Sequence, residues 1–152
     1  EAALQTAMAQ SALTHPQAIS QLLCATYVQL AWNVVKKGAP TSWRAAGLEA
    51  LAQVGMRLPL SGSALKALQA LQGSAARELP SGSGYVVNTF WSALWALDGA
   101  DSVSAALRRA ISLGHDTDTV ACVVGGLAGL TLPVDVRAQQ WLAFLHAKTK
   151  SS

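Results

Sequence analysis

The sequence predicts an all-α domain, a compact orthogonal packing of about eight helices rather than a simple bundle. Three observations carry that prediction. Apolar residues recur at the three-and-four spacing of a helix through most of the chain. The breaks between those segments hold Ser, Thr, Asp, Gly and Pro where helices are capped or stopped. No segment makes a convincing strand, and no repeat of fixed period stands out.

The elements follow in order. Glu1–Leu13 reads as the end of a helix already in progress, so the chain is expected to begin inside a longer protein. Thr14-His15-Pro16 breaks it, because Pro16 disfavours a helical residue before it and suits the first turn of the next helix. From Ala18 to Val35 the helical period holds through Leu22, Leu23, Thr26, Leu30 and Val34, and Lys36-Lys37-Gly38 stops it with cations and a glycine. Thr41 or Ser42 caps a helix running to about Gly55; after Pro59, Ser61 or Ser63 caps another that ends at Gly73.

Arg77–Gly84, RELPSGSG, is the clearest loop. In Val86–Leu97 the spacing of Phe90, Trp91, Leu94 and Trp95 favours helix, although β-branching leaves a strand at Tyr85-Val86-Val87 open. Ser102 caps the next helix, Val103–Leu113, and Pro133 opens a last one with Val136, Trp141, Leu142 and Leu145 as its apolar positions, before a frayed KTKSS tail. Between these two lies the most apolar segment, without a charge from Val120 to Leu132, expected to be a helix buried on every side. Gly125, Gly126 and Gly129 each weaken it by about 1 kcal/mol relative to Ala. Another helix is therefore expected to pass close against them.

Charged residues make up only 12% of the chain, against about 25% in ordinary domains, so much of the surface is expected to be covered by a larger domain or an oligomer partner. The net charge of +3 arises from scarce acids, and no basic run with interleaved aromatics is present, so no nucleic-acid partner is expected. Cys24 and Cys122 sit inside apolar patterns and read as buried core thiols, without a disulfide framework, which points to a reducing, cytoplasmic location. No signal peptide opens the chain, and the apolar run beside Val120 falls short of the roughly 20 residues of a membrane span, so no membrane partner is expected.

Two of the eight acidic residues stand at the mouth of the most apolar segment. Asp116, Asp118 and Thr119 are spaced so that two carboxylates and a hydroxyl can converge beyond one helix end, as hard cations such as Mg²⁺ or Mn²⁺ require. Spacing alone favours a plainer reading, in which Asp116 is an N-cap and Asp118 a dipole-favoured acid of the first turn.

The string LGHDTDTVACVVGGLAGL at Leu113–Leu130 resembles the C-terminal metal-binding motif of the ADP-ribosylglycohydrolase family. Two further stretches match in the same order, SALTHP at Ser11–Pro16 and SGSGYVVNTFWSALWAL at Ser81–Leu97. The resemblance implies an all-α ADP-ribosylglycohydrolase-like domain of which residues 1–152 are the C-terminal portion, the N-terminal part being missing. It implies hydrolysis of the bond between ADP-ribose and a modified side chain, with two Mg²⁺ ions, or Mn²⁺, as cofactors. Ligand roles fall on Asp116, Asp118 and Thr119, and contacts to ADP-ribose on Gly84 and Tyr85, with Ser83 and His15 as weaker candidates. His115 stands where the family more often has glycine.

Nothing in the chain resembles the family's first metal motif or its general base, so the resemblance implies that these come from a preceding segment or a second chain. The expected partners are ADP-ribose or an ADP-ribosylated protein, together with such a completing fragment. Two other functions stay open: a binding module that keeps an ADP-ribose pocket without hydrolysis, and a purely structural helical domain.

Overall fold

The computed structural model describes residues 1–74 and 79–149. The described residues form eight helices and no strand: α1 Ala2–Ala12, α2 Ala18–Lys37, α3 Trp43–Arg57, α4 Gly62–Ser74, α5 Val86–Leu97, α6 Val103–Ile111, α7 Thr117–Thr131 and α8 Val136–Thr149. Tyr85-Val86-Val87 leads into α5 as its N-cap and first turn. Residues 77–78 of the expected RELPSGSG loop, with 75–76 before it, and 150–152 of the KTKSS tail lie outside the described residues.

Helix α2 is the axis of the packing and touches α1, α3, α4, α5 and α7. By length and composition it alone among the described helices could cross a membrane, which the run beside Val120 could not. Its burial explains that composition: Leu22, Leu23, Ala25, Leu30 and Val34 lie in the core. Its polar residues are used within the protein. Gln29, 2% exposed, donates to Asn33 Oδ1 at 2.8 Å, Asn33 donates to Gln53 Oε1 at 2.9 Å, and Gln53 and Lys37 both donate to Glu49 Oε1 at 2.9 Å. This ladder joins α2 to α3.

The caps on α3 and α6 form as the sequence predicts. Ser42 and Ser102 accept the N–H of Ala45 and Ala105, each at 3.3 Å. A second device at α3 comes from far along the chain: Asp98, at the end of α5, accepts the Trp43 N–H at 2.7 Å. A carboxylate there complements the positive end of α3. The C-terminal end of α5 is finished by Arg109, which donates to the carbonyls of Ala96 at 3.0 Å and Trp95 at 2.9 Å and lies 4.4 Å from the centre of the Trp95 ring. Arg109→Ala should therefore lower stability by about 2 kcal/mol, read as a fall in urea midpoint at constant slope. Arg109→Lys should recover only part of it, since one ammonium replaces a fork. An unchanged midpoint for the alanine variant would count against this role.

Four expectations need correction. Helix α7 is not buried on every side: Val120, Val124, Leu127 and Ala128 face the core, whereas Cys122 and Leu130 are exposed. The all-round buried helix is α5, where nine of twelve residues are buried. An uncharged run shows that no face is strongly solvated, but not which faces have partners. Of the three glycines in α7, a Cβ on Gly126 would strike the Tyr27 hydroxyl and one on Gly125 would make ordinary contact with Leu107, while Gly129 faces open space. Cys24 is half-buried rather than core.

The last helix starts three residues after Pro133, whose carbonyl instead accepts the Val103 N–H at 3.1 Å. All four of its expected apolar positions, Val136, Trp141, Leu142 and Leu145, are exposed. Asp135, just before α8, accepts from the Ser104 hydroxyl at 2.6 Å and the Ser104 N–H at 3.2 Å. The Ser104 hydroxyl in particular holds the Asp135 carboxyl below its ordinary range. Its folded value thus lies below its unfolded one, so the stabilisation is complete above about pH 4 and is lost as pH falls through the folded value. Ser104→Ala should flatten the acid limb of the stability–pH curve below about pH 4; a curve superposable on the wild type would refute this.

Candidate functional site

The residues Gly114 to Thr119 form the N-terminal tip of α7. Gly114 and His115 both have positive φ, 72° and 56°, which glycine adopts freely and histidine only at a cost of about 1 kcal/mol or more. These two residues turn the chain so that Asp116 occupies the N-cap position of α7. Its side chain makes no capping bond to the backbone. Instead Asp116 Oδ1 accepts the Thr119 hydroxyl at 2.7 Å. Asp118 Oδ1 accepts the Thr119 N–H at 3.0 Å. A hydrogen bond shared with the Asp116 carboxyl, and then the Thr119 N–H, holds Asp118 below the ordinary carboxylate range.

The loop before α5 lies against this tip. Gly82 accepts the Asp116 N–H at 2.9 Å, and a Cβ on Gly82 would run into the backbone of Leu113 and Gly114. A Cβ on Gly84 would occupy the space of Asp116 Oδ2. Both glycines are thus required by close approach, not by turn conformation. Ser83 Oγ accepts the Tyr85 N–H at 3.2 Å, a local turn contact, while the Ser83 carbonyl accepts the Thr89 hydroxyl at 3.2 Å.

A cleft of about 720 Å³ opens beside these groups. His15, Gly84, Tyr85, Asp116 and Thr119 all line it, joined by Gln17, Ser20, Cys24, Thr89 and Val123. A second cavity of about 500 Å³ shares Ser11, His15, Cys24, Val86, Thr89 and Val123 with it and runs on toward Tyr27 and Phe90. Two of the sequence-predicted residues stand apart: Asp118 is exposed at the helix tip and Ser83 is engaged in its turn, neither lining the cleft. His15 is exposed, its Nδ1 within 2.9 Å of the Thr14 hydroxyl. Tyr85 is 54% exposed, so its ring is available to a ligand.

Cys24, Ser20 and Thr89 are cleft residues that sequence reasoning passed over. Thr89 carried a signal, because it lies four residues after Tyr85 and hence on the same helical face; Cys24 and Ser20 carried none beyond their place in α2. Asp116, Asp118 and Thr119 offer oxygens, the Asp116 carboxylate is not spent on capping, and Gly84 leaves room at Oδ2. That chemistry fits a hard divalent cation. It supplies only part of a coordination shell, since no group of three or more His, Cys, Asp or Glu side chains gathers among the described residues.

A family model described as ADP-ribosylglycohydrolase matches residues 1–150. Two curated proteins are similar over a shorter stretch: ADP-ribosylarginine hydrolase Tri1 of Serratia proteamaculans, 37% identical over 60 residues, and that of Pseudomonas putida, 38% identical over 60 residues. In each case the aligned stretch covers 40% of this chain and 16% of the relative. No solved structure matches the chain.

Proposed function

The chain belongs to the ADP-ribosylglycohydrolase family, and from that premise we propose that it forms the ligand-facing part of a metal-dependent hydrolase that releases ADP-ribose from modified protein side chains. The observation that carries the proposal is convergence. His15, from the turn before α2, Gly84 and Tyr85, from the loop before α5, and Asp116 and Thr119, from the tip of α7, line one cleft although about 100 residues separate the first from the last.

In the proposed reaction a water oxygen bonds to the anomeric carbon of the distal ribose while the bond from that carbon to the acceptor side chain breaks. The acceptor leaves with a proton, giving free ADP-ribose and the unmodified side chain. Asp116, Asp118 and Thr119 would hold Mg²⁺ or Mn²⁺, which supplies Lewis-acid polarisation of ribose hydroxyls and orients water. The remaining ligands and the general base would come from residues outside this chain, consistent with the donor count at the α7 tip. The backbone at Gly84 lets a sugar or phosphate approach closely, the Tyr85 ring offers a stacking face, and His15 borders the cleft from the opposite segment. The relatives are named for ADP-ribosylarginine, so arginine is the first acceptor to test.

The test is a thermal scan of the complete protein with Mg²⁺, ADP-ribose, or both. Ligand at about 100 times its Kd adds about 2.7 kcal/mol, which for a domain of this size is a rise of roughly 5–10 °C. The rise should need both components, and a matching release assay on an ADP-ribosylated arginine peptide should show metal-dependent turnover. Binding without turnover would leave a binding module, and an unchanged melting temperature would defeat the proposal.

A further inference from the structure

We infer that Ser92 is the positioning residue of this site: a buried hydroxyl of α5 that fixes the loop carrying Gly84 and Tyr85 and, through Gly82, the height at which α7 presents Asp116. The functional half of this inference rests on the proposed function; the structural half does not.

Ser92 is 0% exposed and lies in α5, the helix buried on every side, between Trp91 and Ala93. Packing gives no reason for a hydroxyl there, since alanine would fill almost the same volume, and a buried hydroxyl without partners is unfavourable. Ser92 has both partners on one residue. Its Oγ accepts the Ser81 N–H at 2.8 Å and donates to the Ser81 carbonyl at 2.8 Å. Bonds to the peptide groups on both sides of one residue fix the orientation of the loop as well as its distance. One turn earlier on the same face, Thr89, 6% exposed, donates to the Ser83 carbonyl at 3.2 Å. Helix α5 therefore grips loop residues 81 and 83.

The residue between them, Gly82, accepts the Asp116 N–H at 2.9 Å. Its lack of a side chain lets the Gly114 backbone close in. The connection runs Ser92 to Ser81, Gly82 to Asp116, and Asp116 to Thr119, so the carboxylate at the cleft is held through backbone from the core. Ser92 touches no cleft ligand position itself; it acts only through the loop.

The experiment compares wild type, Ser92→Ala and Ser92→Cys in the complete protein by residue-resolved amide exchange and by ADP-ribose titration in Mg²⁺. In Ser92→Ala the Ser81 and Asp116 amides should exchange about tenfold faster, and ADP-ribose should bind about tenfold more weakly, the size expected from losing a buried bond pair. Amides within α5, such as Leu94 and Leu97, should keep their protection. Ser92→Cys, with a weaker donor and acceptor of similar size, should fall between. Unchanged exchange at Asp116, or faster exchange spread evenly over the whole chain, would overturn the inference, the first because no linkage exists and the second because Ser92 then serves stability alone. If the wild type binds no ADP-ribose, the proposed function fails while the exchange result still decides for or against the linkage. If Ser92→Ala does not fold, Ser92→Cys against wild type decides by the same two amides.

Discussion

Asp116→Ala should abolish metal-dependent ADP-ribose release, lowering kcat/KM by about 100-fold or more, while changing stability by less than about 1 kcal/mol. The two halves of that expectation have different origins. The loss of activity follows from removing the one carboxylate that both lines the cleft and meets Thr119. The small change in stability follows from the missing cap: the Asp116 side chain makes no bond to the backbone of the first turn of α7, meeting only the Thr119 hydroxyl, and its own N–H and carbonyl hold the backbone there. An ordinary N-cap aspartate shows the opposite pattern, with about 1 kcal/mol lost on truncation and no catalytic effect. Asp118→Ala should weaken metal binding less severely, because Asp118 is exposed and outside the cleft lining. Retention of wild-type turnover in Asp116→Ala would remove the metal reading of this tip. A loss of activity that merely tracks unfolding would remove it equally.

Trp91→Ala should be the most damaging change away from the cleft, at about 3–5 kcal/mol. Trp91 is 1% exposed, stands edge-on to Phe90 with ring centres 5.0 Å apart, and with Leu94 packs over Gly47, where a Cβ would strike Leu94 Cδ1 and come within 3.3 Å of the indole. A small residue at 47 and large ones at 91 and 94 are thus complementary across α3 and α5. The indole N–H finds no hydrogen-bond partner among the described residues. Leaving a buried donor unpaired already weakens the wild type by about 1–3 kcal/mol, so Trp91→Phe, which removes both some volume and the donor, should lose far less than Trp91→Ala. Urea unfolding of the three proteins checks the order. Equal losses for the two variants would show that the N–H carries no penalty.

Much of this molecule was legible in its sequence. Helix periods and stop signals placed all eight helices, with α5 in register at both ends and α6 ending two residues early. The serine caps were legible because a cap and its helix are neighbours in the chain. The motif residues Asp116 and Thr119, and the more distant Gly84, Tyr85 and His15, do reach one cleft.

What stayed hidden depends on partners remote in sequence. Asp98 reads as a residue at a helix end, yet its carboxylate serves the first turn of α3, 55 positions away. Ser92 reads as an interruption in an apolar helix, and nothing local shows that Ser81 lies against it. The exposure of α8 and of Cys122 was equally illegible, because an amphipathic pattern gives the face that a helix would bury, not whether a neighbour is present to bury it.

The polar ladder from Gln29 through Asn33 and Gln53 to Glu49 and Lys37 lies outside the cleft, but it has a consequence for it. Greasy helix faces slide past one another with little change in contact quality, whereas a row of paired amides matches at one offset only. Slippage of α2 along α3 by a single turn, about 5.4 Å, would break both rungs that cross between the helices, Asn33 to Gln53 and Lys37 to Glu49, while the Gln29–Asn33 and Gln53–Glu49 bonds, each within one helix, would persist. The row therefore works as a detent. Because α2 also carries Ser20 and Cys24 on the cleft wall and follows directly from His15, the width of the opening opposite Asp116 is set by an amide lock at the other end of the same helix.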